Sequence, residues 1–264
     1  MNHDIISDIF EWLDWKIVLN ISTVSKLFNQ VSNNHIYWKN NFKKEFCDDI
    51  LKYENIFCSE NYKEIFVNYF KLRNCFGSLK IVDKKNLTLE EFIKKKEIII
   101  HHDYELKQIP LNISLLPNLL NLFLFSNKIN SNFHELRSIK NLQKLYLCSN
   151  DIKEFPKEIL QQINLKILDL SFNLISEIPT NLIELNCLVT LNFSHNRINK
   201  IPKNIEQLSN LEELYLQYNN IKKIPKNIIN LTKLTKLNLS RNMITIIPNG
   251  IIQMEDLQYF STDH

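Results

Sequence analysis

The chain has 264 residues, 44% of them hydrophobic, and 32 basic side chains against 29 acidic ones leave a net charge of +3. A chain of this length can bury a large core in one or two domains, and so even a balance argues against nucleic acid as the main ligand, which needs a concentrated basic face. Five cysteines, Cys47, Cys58, Cys75, Cys148 and Cys187, without a C-x-x-C pair argue against a disulfide framework or a zinc module, so a cytoplasmic or nuclear protein is expected.

The first residues, Met1 to Trp15, carry Asp4, Asp8, Glu11 and Asp14, the reverse of the basic start and apolar run of a secretory leader. No stretch of the chain reaches the length of a membrane span. Ile5, Ile6, Ile9, Phe10 and Leu13 fall at helical spacing up to a break at Asp14. Val18, Leu19 and Ile21 form a second apolar cluster, and Val24, Leu27, Phe28 and Val31 a third at i, i+3, i+4, i+7, stopped by Asn33 and Asn34. Three short amphipathic helices hold too small a core to stand alone, so this unit is expected to dock on something.

These residues resemble the F-box family over about residues 3 to 42. Asp4 stands at the acidic position, Ile5, Ile6, Ile9 and Phe10 at the paired aliphatics, and Leu13-Asp14 at the turn, followed in order by Val18-Leu19, Val24, Phe28 and Trp38. The family's leading Leu-Pro is replaced by Met1-Asn2, and Ile17 takes the place of its usual Asp. The resemblance implies an all-α domain over residues 1–43. It also implies docking on the adaptor Skp1 through Ile5, Ile6, Ile9, Phe10, Leu13, Val18, Leu19, Val24 and Phe28.

Residues 44–98 read as a helical linker and cap. Ser59 to Phe76 spaces Tyr62, Ile65, Phe66, Tyr69 and Phe70 on one helical face and closes at Gly77. Thr88 and Glu91 make a capping box for a further helix ending in Lys94, Lys95 and Lys96. Ile98, Ile99 and Ile100 are expected to form the first strand.

From residue 99 to 264 one frame organises the chain: L-x-x-[LF]-x-[LF]-x-x-N-x-[IL], with Asn127, Asn150, Asn173, Asn196, Asn219 and Asn242 spaced by 23 residues. Pro156, Pro179, Pro202, Pro225 and Pro248 step with the same period, and Phe133 fills the gap between Pro110 and Pro156. A buried amide at a sharp bend bonds the peptide groups of that bend and of the neighbouring turn, while Leu and Ile point to a shared core. The pattern is that of a leucine-rich repeat solenoid with about seven units and a truncated eighth, a parallel β arrangement that places the chain among α/β folds once the N-terminal helices are included. About eight aliphatic side chains per unit cannot fold one unit by themselves, so neighbours must stack. The chain stops four residues after Phe260 with no polar cap in sight. Met254, Leu257 and Phe260 are therefore expected to be exposed there, open to self-association or covered by Tyr259.

In this repeat class the outward residues of x-L-x-L-x-x line the concave wall. Their first column reads Phe123, Tyr146, Asp169, Asn192, Tyr215, Asn238; the next Phe125, Cys148, Ser171, Ser194, Gln217, Ser240; the third Ser126, Ser149, Phe172, His195, Tyr218, Arg241. Two clusters emerge as a target-binding face: Phe123, Phe125 and Tyr146, with Asp169 beyond them, and then Phe172, His195, Tyr215, Tyr218 and Arg241. Exposed aromatics and Arg dominate protein-binding energetics. Lys153, Lys200, Lys203, Lys222, Lys223 and Lys226 sit beside the proline column and read as a solvated face. No nucleophile stands beside His195 or His134, and no phosphate cradle or metal-ligand spacing appears, so a non-enzyme without cofactor or metal is expected. The F-box resemblance implies a substrate-recognition adaptor of a Skp1-cullin-F-box type ubiquitin ligase, with the repeats holding an unknown target protein. The rival reading is a non-catalytic repeat scaffold for a small GTPase or phosphatase, which the regular L-x-x-L-x-L-x-x-N-x-I-x-x-I-P units resemble.

Overall fold

The computed structural model describes residues 94–262 apart from Tyr104 and Asn112. The F-box-like segment and nearly all of the linker lie outside the described residues. Within them the chain makes one parallel sheet of eight strands taken in sequence order. The strands are β1 (Glu97–Ile99), β2 (Asn121–Phe123), β3 (Lys144–Tyr146), β4 (Ile167–Asp169), β5 (Thr190–Asn192), β6 (Glu213–Tyr215), β7 (Lys236–Asn238) and β8 (Tyr259–Ser261).

Each strand is three residues long because its unit must turn back at once, and the strands β2 to β7 share one pattern, a buried centre between two half-buried flanks. The centres align as Leu122, Leu145, Leu168, Leu191, Leu214, Leu237 and Phe260, each paired with the next. From β2 onward the step is 23 residues, whereas β1 pairs Glu97 with Asn121, one residue more. That extra residue explains why the first unit fits the frame poorly. The helix expected to end at Lys96 does not extend there: Lys94 lies in a turn, Lys96 in a bend, and β1 starts at Glu97. The Lys96 carbonyl instead accepts the amides of Leu120 and Asn121 at 2.8 and 2.9 Å, which pulls this stretch into the ladder.

The return legs are 3₁₀ turns, and no α-helix occurs among the described residues. A 23-residue unit leaves little room for a longer leg, and proline sets its start. Pro156, Pro179, Pro202, Pro225 and Pro248 cap the turns with φ between −60° and −69°. Their carbonyls accept the amides of Ile159, Leu182, Ile205, Ile228 and Ile251 at 3.0 to 3.2 Å, the i→i+3 bond of a 3₁₀ turn. Phe133 caps the equivalent turn His134–Ser138 with a different backbone, φ −91° and ψ 11°, and is itself buried. None of the described helices is long and apolar enough to cross a membrane.

The asparagine column closes each bend from inside. Asn173 donates to the carbonyls of Leu147, Leu170 and Ser171 at 2.9 to 3.1 Å and accepts the Ile152 amide at 3.0 Å. Asn150 and Asn219 repeat this set one or two units away. Each amide thus ties its own bend to the preceding unit, which is why the residue cannot drift in the frame. At the far end Met254, Leu257 and Phe260 are half-buried rather than exposed as expected, and Tyr259 is 46% exposed.

Candidate functional site

The strand face carries the side chains that flank the buried leucines. Phe123 on β2 and Tyr146 on β3 stack with ring centroids 4.7 Å apart and planes within 11°. Phe125 does not join them. It stacks on His101 at 5.1 Å, a partner that the repeat frame did not reveal because the first unit is one residue out of step. Asp169 on β4 is bonded by the Ser171 amide and hydroxyl at 2.8 and 2.6 Å and by the Asn192 amide group at 3.2 Å. The same two-residue grip recurs from Ser194 to Asn192 and from Ser240 to Asn238. It turns the second column inward, so Ser171 and Ser194 are buried rather than displayed as expected.

Tyr215 stands with a polar group rather than with the other rings. Glu213 accepts Lys236 Nζ at 2.7 Å and Thr190 Oγ1 at 3.2 Å. The hydrogen bond from Lys236 holds the Glu213 carboxyl below the usual carboxylate range, and burial, followed by the Glu213 charge, pushes the Tyr215 hydroxyl up.

The third column has an unexpected backbone. Ser126, Ser149, Phe172, His195, Tyr218 and Arg241 all take φ between 53° and 57°, and His102 continues the column at 55°. This left-handed region costs an L-residue about 1–2 kcal/mol and is normally filled by Gly or Asn. Here the chain must reverse while staying in the ladder. The left-handed residue donates its own amide to the next unit, as from Ser149 to Ser171, Phe172 to Ser194, His195 to Gln217 and Tyr218 to Ser240, each at 2.9 Å.

Four of these strained positions hold rings, and the consecutive three, Phe172, His195 and Tyr218, form one stack. Phe172 and His195 lie 3.9 Å apart at 11°, and His195 and Tyr218 lie 4.1 Å apart at 14°. Phe172 remains 53% exposed and Tyr218 48%. Arg241 follows at the next rung, exposed. Of the residues expected on the binding face, the structure therefore gathers Phe172, His195, Tyr218 and Arg241 into one column, pairs Phe123 with Tyr146, and leaves Phe125, Asp169 and Tyr215 in separate local settings.

Burial between its two neighbours lowers the pKa of His195, favouring the neutral ring. An imidazole held low contributes stability that is complete above the ordinary value of about 6.5 and is lost as pH falls through its lowered value. Ring-proton NMR should find His195 titrating below the ordinary imidazole range. The double change Phe172→Ala, Tyr218→Ala should return it upward; an unchanged titration would show that the stack is not the cause.

Comparison with known proteins agrees with this architecture. A leucine-rich repeat model matches residues 140–198, and a leucine-rich repeat region model matches residues 190–264. Among solved structures, a leucine-rich repeat protein of Leptospira interrogans is 36% identical with a TM-score of 0.60, the match covering 62% of this chain and 42% of that one. The chain thus spans less than half the length of that protein. A plant peptide hormone receptor in complex with RGF2 is 31% identical with a TM-score of 0.51, over 57% of this chain and 25% of the receptor. Internalin C2 of Listeria monocytogenes, 20% identical with a TM-score of 0.53 over 74% of this chain and 91% of that one, shares the fold. No curated protein matches the sequence. The chain carries leucine-rich repeats, a construction suited to binding other proteins.

Proposed function

We propose that the chain is a non-catalytic recognition adaptor: its strand face holds a target protein, and residues 3 to 42 couple that target to a Skp1-type adaptor and a cullin. The observation that carries the recognition half is the exposed stack Phe172, His195 and Tyr218, held on strained backbone. Exposed rings are the usual anchors of protein interfaces. The similar plant receptor was solved with RGF2 bound. The coupling half rests on the F-box-like order from Asp4 to Trp38. Such a chain needs no chemistry of its own, because tethering raises the concentration of the target's lysines at a ubiquitin-charged enzyme.

Affinity capture with the whole chain tests both halves. Skp1 and cullin should co-purify and be lost with Val24→Asp plus Phe28→Asp; their retention by that variant would overturn the coupling. The triple change Phe172→Ser, Tyr215→Ser, Tyr218→Ser should cut target capture by about 30-fold or more while leaving Skp1 bound, since interface anchors are each worth roughly 2 kcal/mol or more. The regular I-x-x-I-P units favour a second reading, a scaffold for a small GTPase or phosphatase. Capture of one of these by residues 99–264, with no Skp1 on the whole chain, would select it.

A further inference from the structure

Ring stacking uses both faces of His195, but only one face of Phe172 and one of Tyr218. The second face of Phe172 looks upstream along the column to Ser149, whose side chain is too short to cover it and which is itself exposed. Ser149 and Phe172 are adjacent rungs, joined by the bond from the Ser149 amide to the Ser171 carbonyl at 2.9 Å. A rung is therefore missing from the stack where a flat group would find a ring below it.

Two carboxylates lie on the rungs that flank this gap. Asp151 follows Ser149 by two residues on the same rung, is exposed and makes no ion pair among the described residues. Asp169 lies on the Phe172 rung, three residues before the ring, and its contacts with Ser171 and Asn192 leave it ringed by neutral donors. Its charge is felt nearby: burial pushes the Cys148 thiol up to about 12, and Asp169 adds to the rise. Burial also raises Tyr146, with Asp169 the next cause. Lys128 stands one rung upstream of Asp151 without an ion pair to it among the described residues, and Arg197 stands on the His195 rung.

A flat cation satisfies both the open ring face and the carboxylates. We propose that the gap over Ser149 is a slot for an arginine side chain of the bound protein, its guanidinium stacked on Phe172 and facing Asp151 and Asp169. This rests on the recognition reading above and adds to it the residue that the target must present. Lysine fits less well because its compact ammonium lacks the planar face that completes the stack.

The full chain can be titrated with acetyl-Gly-Arg-Gly-amide and followed by NMR. Saturable shifts are expected at the Phe172 and His195 rings and the Ser149 amide. The citrulline peptide, flat but uncharged, and the lysine peptide should each bind about two- to fivefold more weakly, the order set by an exposed cation–π contact. Asp151→Asn should weaken the arginine peptide to a similar degree. Ser149→Phe is the decisive variant. It places in the gap a ring that the same backbone already carries one rung later, so it should fold normally, extend the stack and abolish the shifts. Equal binding of the citrulline peptide, or arginine shifts that persist in Ser149→Phe, would overturn the slot. If the peptide fails while capture of a target still depends on Phe172, Tyr215 and Tyr218, the slot alone is wrong; if capture also ignores those three, the recognition reading falls with it.

Discussion

Asn173→Ala is expected to destabilise the solenoid by about 3–5 kcal/mol, more than its small change in volume would cost. The side chain is 5% exposed and forms four bonds, three donated to carbonyls and one accepted from the Ile152 amide. Alanine removes one partner of each pair and leaves the others buried. An orphaned buried donor or acceptor costs about 1–3 kcal/mol, and two or three such groups reach the stated range. Water cannot easily repair this, since the amide fills the space between two units. Urea denaturation gives the comparison directly, with Asn199→Ala as its partner. Asn199 is exposed, and its loss should stay within about 0.5 kcal/mol. Similar midpoints for the two variants would mean that the asparagine column is decoration.

The second large effect is expected at Phe193. It is fully buried, and it occupies the position that Leu124, Leu147, Leu170, Leu216 and Leu239 hold in the other units. Its ring meets Phe155 at 6.2 Å and 42°, so two units share an enlarged patch of core. Phe193→Ala should cost about 3–5 kcal/mol through lost burial and the cavity left behind. Phe193→Leu restores the residue that every neighbour uses and should cost less than about 1.5 kcal/mol. Because the solenoid is held together by contacts between units, the alanine variant should also broaden the unfolding transition, as the units on either side lose their coupling. A leucine variant as damaging as the alanine one would show that Phe155 and Phe193 form an inseparable pair rather than one large residue in an ordinary site.

Much of the solenoid was legible before any coordinates. The step of 23, the asparagine bends and the proline turns each rest on local chemistry that repeats, and repetition removes the ambiguity of a single short strand. What escaped were departures from the period. The first unit gains a residue, so the pairing of His101 with Phe125 falls outside the columns. Lys94 to Lys96 look like a helix end by charge, yet the Lys96 carbonyl serves the ladder of the next strand. Ser171 and Ser194 looked outward until the Asp169 and Asn192 side chains drew them in. The left-handed column escaped for a different reason. Its usual markers are Gly and Asn, and here tertiary bonding imposes the conformation on Phe, His, Tyr and Arg, so composition gave no sign of it. The sequence could list the rings of the strand face; the structure shows which of them touch.

The left-handed column also bears on how such a surface can change. Six consecutive rungs accept Ser, Ser, Phe, His, Tyr and Arg on one backbone geometry, without a glycine among them. From Ser126 to Tyr218 the amide reaches the next rung whatever side chain it carries, so the ladder there does not depend on the side chain. The scaffold is thus indifferent to the letters written along this edge. A lineage could rewrite this edge one rung at a time, each step leaving the fold as it was.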